Sequence, residues 1–299
     1  MKLADRIAVV AGASRGAGRG IALALGEAGA TVYVAGRTTR GGAPPADGAA
    51  GTIDDTADEV TARGGTGIPV RVDVTKEDEV AALFERIERA HGKVDVLANA
   101  VWGASDRATS LEDMQAMWGQ KFWEGSPSAW HSMMTAGPYA YLVASTYAMR
   151  LMLKRKKGLI VGVTDNILAP EGAPVPEPKV MSEYGGQLIW DLAHLCIDRM
   201  MYGMSVEAKP HKVAVIALMP GFMRTERIVQ YLQTEEQRKA MRFDRSETTE
   251  YLGRAVAALA ADPKVLQKTG KIHIVADLAR EYGFTDVDGR QVPRFNPFG

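Results

Sequence analysis

Four side chains near the middle of the chain are of types that could move a proton or meet a charge: Asp165, Tyr184, Trp190 and His194. Asp165 closes the apolar run GLIVGVTD, and a carboxylate at the tip of a buried strand points into the crevice that strand ends form. Desolvated beside an indole such as Trp190, it would hold its proton towards neutral pH and act as an acid; ionised, it would stabilise a cation through space. His194 is a type that titrates near neutral pH and can donate a hydrogen bond. Tyr184 lies in EYGGQLIWDLAHLCIDR, but the residue four positions on is Leu188, not a lysine that would lower the pKa of a phenol. Trp190 is a donor only and does not titrate, so its part is to shape a pocket or to stack on a ring or a cation. The plainer readings are an Asp-Asn turn, a satisfied histidine and a surface tyrosine.

A series of β-rich apolar runs must position these groups: RIAVVAG, TVYVAG, GIPVRVDV, VDVLANA, GLIVGVT, VAVIALMPG and KIHIVA. Helical stretches separate them at 16–28, 54–63, 77–91, 130–154, 188–207 and 248–261. Strands buried on both faces and alternating with helices predict an α/β fold. The expectation is one domain over 1–299, a Rossmann-type doubly wound parallel sheet of about seven strands with helices on both faces. Two long segments leave the carboxyl ends of strands, 102–130 after the fourth and 169–187 after the fifth, where they would form a substrate lid. All five tryptophans (102, 118, 123, 130 and 190) fall between 102 and 190. They fit a bulky, partly apolar small-molecule substrate, or else a small core of the insertion itself.

In AVVAGASRGAGRGIALAL, Gly12, Gly16 and Gly18 lie between a strand and a helix. That placement permits a tight turn and lets backbone amides and the helix dipole meet a pyrophosphate. Ser14 and Arg15 sit inside the turn. The second strand ends VAGRTTR. A carboxylate at its tip would hold an adenosine ribose diol; Gly36 cannot, whereas Arg37, Thr38 and Arg40, joined by Arg15, suit a 2′-phosphate. The cofactor expected is NADP(H) rather than NAD(H).

These pieces resemble the classical short-chain dehydrogenase/reductase family, from Arg6 to about Ala276. GASRGAG resembles its glycine motif, and VRVDVT puts Asp73 and Val74 where the family contacts adenine. VLANA, with Asn99, is similar to its Asn-Asn-Ala-Gly segment, with Ala98 and Val101 as replacements. In PGFMRTE the resemblance implies that Pro220 and Gly221 lie beside the nicotinamide and that Thr225 reaches the cofactor. The family's Asn-Ser-Tyr-Lys tetrad is changed throughout. A gapless count back from Pro210 puts Trp190 at the tyrosine position and His194 at the lysine position. Asp165 falls at the serine position and Gly137 at the asparagine position. His194 would keep a lysine's contact with the ribose as a hydrogen-bond donor.

The resemblance thus implies an NADP(H)-dependent reductase of a bulky carbonyl, imine or iminium, or polarised double bond. Its site would be non-standard, centred on Asp165 with His194, Trp190 and Tyr184 around it. The lost tetrad leaves an alternative: a non-redox or catalytically degenerate relative, such as a cofactor-binding regulator, an isomerase or cyclase, or a structural subunit. The family's habit also implies a homodimer or homotetramer through the fourth and fifth long helices.

Composition narrows the rest. Lys+Arg and Asp+Glu both number 36, so no net field draws in nucleic acid or an anionic membrane. A single cysteine, Cys196, excludes an intramolecular disulfide. The histidines at 91, 131, 194, 211 and 273 lack the close paired spacing of a metal site, so no metal is expected. Neither a signal-peptide-like run nor an uncharged bilayer-length run occurs, and a cytoplasmic setting is the expectation.

Overall fold

The computed structural model describes residues 3–43, 45, 48–103, 110, 112–113, 116, 120–165 and 187–295. The seven apolar runs form one sheet, all parallel, in the order β3-β2-β1-β4-β5-β6-β7. Its strands are β1 (Ile7–Ala11), β2 (Thr31–Gly36), β3 (Thr66–Arg71), β4 (Val96–Asn99), β5 (Gly158–Val163), β6 (Val213–Met219) and β7 (Ile272–Ile274). Helices α1 (Gly16–Glu27), α2 (Ile53–Ala62) and α3 (Glu77–His91) connect the first four strands. Then follow α4 (Ala129–Met134), α5 (Ala140–Arg155), α6 (Leu188–Ala208), α7 (Glu226–Tyr231), α8 (Glu235–Ala240), α9 (Thr249–Ala261) and α10 (Val275–Tyr282).

Alternation along the strands sends side chains to two separate cores. Val10, Val34, Val161 and Ile216 face one way, packing with α1, α2, α9 and α10. Val9, Tyr33, Ile160 and Val215 face the other, against α3, α5 and α6. Sheet order reverses between β1 and β4, so the crevice of this architecture opens at their carboxyl ends. The glycine turn, Arg37, Asp73, Asp165 and Pro220 all follow strands at that edge.

The stretch expected as one helix over 130–154 is interrupted. Thr135–Tyr139 forms a π turn between α4 and α5, with Pro138 inside it. Proline has no amide hydrogen and its ring collides with the carbonyl four residues back, so the chain widens locally. The widened turn sets Gly137 against the ring of Trp102. Among the described residues, no helix is long and apolar enough to cross a membrane.

Candidate active site

At the nucleotide end, two glycines make the turn possible. Gly12 has φ 84°, and a Cβ there would stand 2.9 Å from the Ala100 carbonyl oxygen. A Cβ on Gly18 would overlap the Gly12 carbonyl itself. The first turn of α1 carries no acidic side chain, which leaves the positive end of the helix dipole without local neutralisation. The carboxylate that meets it comes from far along the chain: Glu226 Oε2 accepts from the Gly16 amide at 2.7 Å, and Arg19 lies 3.9 Å from the same carboxylate. Thr225 caps α7, accepting from the Ile228 amide at 3.3 Å, and its methyl would be 3.7 Å from a Cβ on Gly16. The glycine turn and the turn from Pro220 through Gly221 to Thr225 therefore abut as neighbouring walls.

Arg15 reaches across to the end of β2 and donates to Thr38 Oγ1 at 3.1 Å and to the Gly51 carbonyl at 3.5 Å. Ser14 is half-buried in the same turn. Arg40, read as a partner of Arg15, is drawn elsewhere. Its guanidinium donates to Asp55 at 2.7 Å and Asp58 at 2.6 Å, and its amide to Asp54 at 2.8 Å. The acidic start of α2 is the cause. Arg37 is exposed and lies near enough to Asp73 to act on its charge. Burial pushes Asp73 up, but hydrogen bonds from the side chain and amide of Thr75, with Arg37 nearby, hold it below the usual carboxylate range. Val74 is buried. Asn99 donates to Ser145 Oγ at 3.1 Å, tying β4 to α5. A backbone cradle that side chains would fill, at the start of a helix whose Gly16 amide already meets Glu226, fits the phosphates of a dinucleotide, with Arg15 beside it.

At the reaction end, Asp165 follows β5 and is half-buried. Burial raises its carboxyl to about 6, and the neighbouring Trp190 indole, a donor, pulls part of that back. Among the described residues no cation pairs with Asp165. Trp190 and His194 share one face of α6, one turn apart, with ring centroids separated by 4.9 Å. His194 is buried at 6% exposure, which lowers its pKa to about 4, offset in part by its hydrogen bond to the Trp190 backbone. It is neutral at pH 7. His194 Nδ1 lies 3.0 Å from the Trp190 carbonyl, which can only accept, so Nδ1 carries the proton and Nε2 is an acceptor. The expected donation from His194 to ribose hydroxyls is thereby changed in sense: Nε2 can receive a hydrogen bond but not give one.

Trp102 completes this end. It stacks on His194 at 4.2 Å and 29° and meets Trp190 edge-on at 4.8 Å and 69°. A Cβ on Gly137, the residue expected at the family's asparagine position, would lie 3.1 Å from Trp102 Cζ3, so glycine here makes room for an indole. Tyr184, Trp118 and the 169–186 stretch of the expected lid lie outside the described residues.

Sequence reasoning missed three residues. The role of Trp102 is settled by a stack with a distant helix, Glu226 meets a residue 210 positions earlier, and Glu247 is buried beneath Gly221. Glu247 bonds through its backbone to the Phe222 carbonyl at 2.9 Å and the Arg224 amide at 2.7 Å. A Cβ on Gly221 would stand 2.9 Å from Glu247 Oε2. Burial raises Glu247 to about 8; the Gly221 backbone lowers it, Asp286 raises it further and Arg224 lowers it. Glu226 is the last residue of PGFMRTE, and Trp102 is one of the five tryptophans of the middle region; nothing local hinted at Glu247.

This geometry has close counterparts. The family profile for short chain dehydrogenases matches residues 6–168. The mouse protein called dehydrogenase/reductase SDR family member 1 is 33% identical over 302 residues, covering 98% of this chain and 87% of its own. The NADPH-dependent reductase BacG of Bacillus subtilis is 23% identical over 250 residues, 82% of each chain. In the fold comparison, a short chain dehydrogenase from Mycobacterium thermoresistibile superposes with a TM-score of 0.76 at 21% identity, covering 99% of this chain and 94% of that one. With its glycine turn, seven-stranded sheet and matched sequence taken together, the chain belongs to the short-chain dehydrogenase/reductase family of oxidoreductases.

Proposed function

We propose that the protein is an NADP(H)-dependent reductase of a bulky carbonyl, imine or iminium, or polarised double-bond substrate, working through a non-standard site centred on Asp165. The observation that carries the cofactor reading is the Arg15–Thr38 pair at the tip of β2, where Gly36 leaves no carboxylate to repel a 2′-phosphate. The BacG relative, an NADPH-dependent reductase by name, supports the same choice.

Bound NADPH would supply the hydride. The chain's own groups would do the rest. Amides of the glycine turn meet the pyrophosphate, and Arg15 with Thr38 holds the 2′-phosphate. Pro220, Gly221 and Thr225 flank the nicotinamide side. Asp165 sets the charge beside the reacting atoms, while Trp190 and Trp102 give the pocket its apolar walls.

Exposed apolar side chains on the two long helices, Leu142 and Leu153 on α5 and Leu192 and Val206 on α6, support a homodimer or homotetramer built on those faces. Light scattering of the purified protein would read its mass directly.

The test of function follows NADPH loss at 340 nm against a panel of such substrates, with NADH in parallel. Turnover with NADPH that is lost in Asp165→Ala supports the reading. Equal use of NADH, or unchanged turnover in the variant, removes it.

A further inference from the structure

The charge at the reaction end is inverted relative to a site built for ketone reduction. Such a site needs a cation and a proton donor because an alkoxide develops. Here the tetrad's lysine position holds His194, neutral at pH 7, and its serine position holds Asp165. Among the described residues the only formal charge in the cluster is therefore negative. A half-buried carboxylate without a paired cation is costly to hold ionised, and a ligand that brings the cation removes that cost. The Trp190 indole donates to Asp165, Trp102 meets Trp190 at 69°, and both indoles are half-buried rather than enclosed.

We infer that Asp165, Trp102 and Trp190 form a recognition site for an organic cation, a substituted nitrogen of the substrate held between indoles and a carboxylate. A trialkylated nitrogen is too weakly hydrated to need oxygen ligands, and its charge is stabilised by ring faces and one anion. A metal ion would need a set of ligands; among the described residues no group of three His, Cys, Asp or Glu could hold one. This inference rests on the reductase reading for its consequence, which is that the substrate is an iminium ion. An iminium carbon takes the hydride while the C=N π pair moves to nitrogen, giving a neutral amine and leaving the nicotinamide oxidised. No proton enters that step, so the loss of the family's tyrosine is chemically consistent with it.

Calorimetry with the full-length protein tests the site without turnover. The probes are 3-hydroxyphenyltrimethylammonium and its uncharged carbon isostere, 3-tert-butylphenol. The cation is expected to bind about 10-fold more tightly, a gap of the size aromatic and carboxylate contacts supply to a partly desolvated ammonium. Asp165→Asn should close most of that gap and leave the neutral probe within about twofold; Asp165→Ser serves if the first variant does not fold. Trp102→Leu should weaken the cation about 3- to 10-fold. Equal binding of the two probes, absence of binding by either, or a gap that survives in the Asp165 variants overturns the inference. NADPH titrated into the same protein without probe reads the reductase proposal separately: failure there sinks that proposal and leaves the cation result standing.

Discussion

The two ends of the crevice were built under different rules. At the nucleotide end, backbone geometry does most of the work: Gly12 and Gly18 shape a turn, α1 offers amides, and one side chain, Arg15, crosses to Thr38. At the reaction end the backbone contributes one π turn, which makes room for Trp102, and side chains do the rest, with three rings at 4–5 Å centroid spacings and Asp165 beside the Trp190 indole. The first end suits a dinucleotide held through its phosphates. The second holds Asp165, Trp190 and His194, the residues that the count from Pro210 and the matched segments set at the family's catalytic positions as an expectation. One fold can host different chemistries through the side chains at one end of its crevice.

If the ends are independent, variants should separate them, and the largest effect belongs to the turn. Gly18→Val forces side-chain atoms into the Gly12 carbonyl. NADPH affinity should fall about a thousandfold, because the amides can no longer converge on phosphate. Binding of the trimethylammonium probe should stay within about threefold. A parallel loss of both, with the circular dichroism of the fold intact, would mean that the ends are coupled.

Asp165 gives the converse. Asp165→Asn should lower turnover of a cationic substrate about a hundredfold, the scale of losing one preorganised charge, and leave NADPH binding unchanged. The sign of the pH effect follows from a carboxyl raised to about 6 in the free protein. A cation binds the ionised form, so affinity should be full above pH 7 and decline as pH falls through about 6. His194, already neutral down to about 4, adds no charge change in that window. A wild-type profile flat from pH 5 to 8 would remove the assignment.

Arg15→Ala sharpens the nucleotide end with a smaller change. Loss of one charge-assisted contact to a 2′-phosphate should weaken NADPH about 10- to 50-fold and NADH less than twofold. Equal losses for both cofactors would instead place Arg15 as a brace of the turn through Thr38 and Gly51.

Where the signal was local, it could be read in advance. The strands announced themselves as apolar runs and the turn as glycines between strand and helix, and both took shape within a few residues of expectation. Trp190 and His194, four residues apart in a helical stretch, fall one turn apart on α6 with ring centroids 4.9 Å apart. Contacts between distant segments carry no such mark. Trp102 could as well have packed within its own insertion; a stack on His194 and a glycine at 137 decided otherwise. Arg40 follows β2 as a phosphate ligand would, but Asp55 and Asp58 on α2, distant from it in the chain, compete for it. The tautomer of His194 depends on the orientation of its ring towards one carbonyl in its own helix, which residue types do not encode.

Glu247 offers the smallest and most selective test, since it lies behind the turn at Gly221 and belongs to neither end's chemistry. Its carboxyl, ordinarily at 4.5, is raised to about 8 by burial, with Asp286 adding to the push and the Gly221 backbone and Arg224 opposing it. The folded protein therefore keeps this proton over a range where the unfolded chain has released it. That contribution to stability is full below about pH 4.5, declines as pH rises towards 8, and is level beyond it. Glu247→Gln keeps the shape without the charge. It should leave the midpoint of thermal unfolding nearly unchanged at pH 5 and raise it at pH 8.5 by about 2–6 °C. A shift of equal size at both pH values would show that shape, not charge, is what this position supplies. Because Tyr251 also lies within reach of the Glu247 charge, the Gln variant should lower the tyrosine's raised pKa as well, readable as an earlier rise in phenolate absorbance near 295 nm.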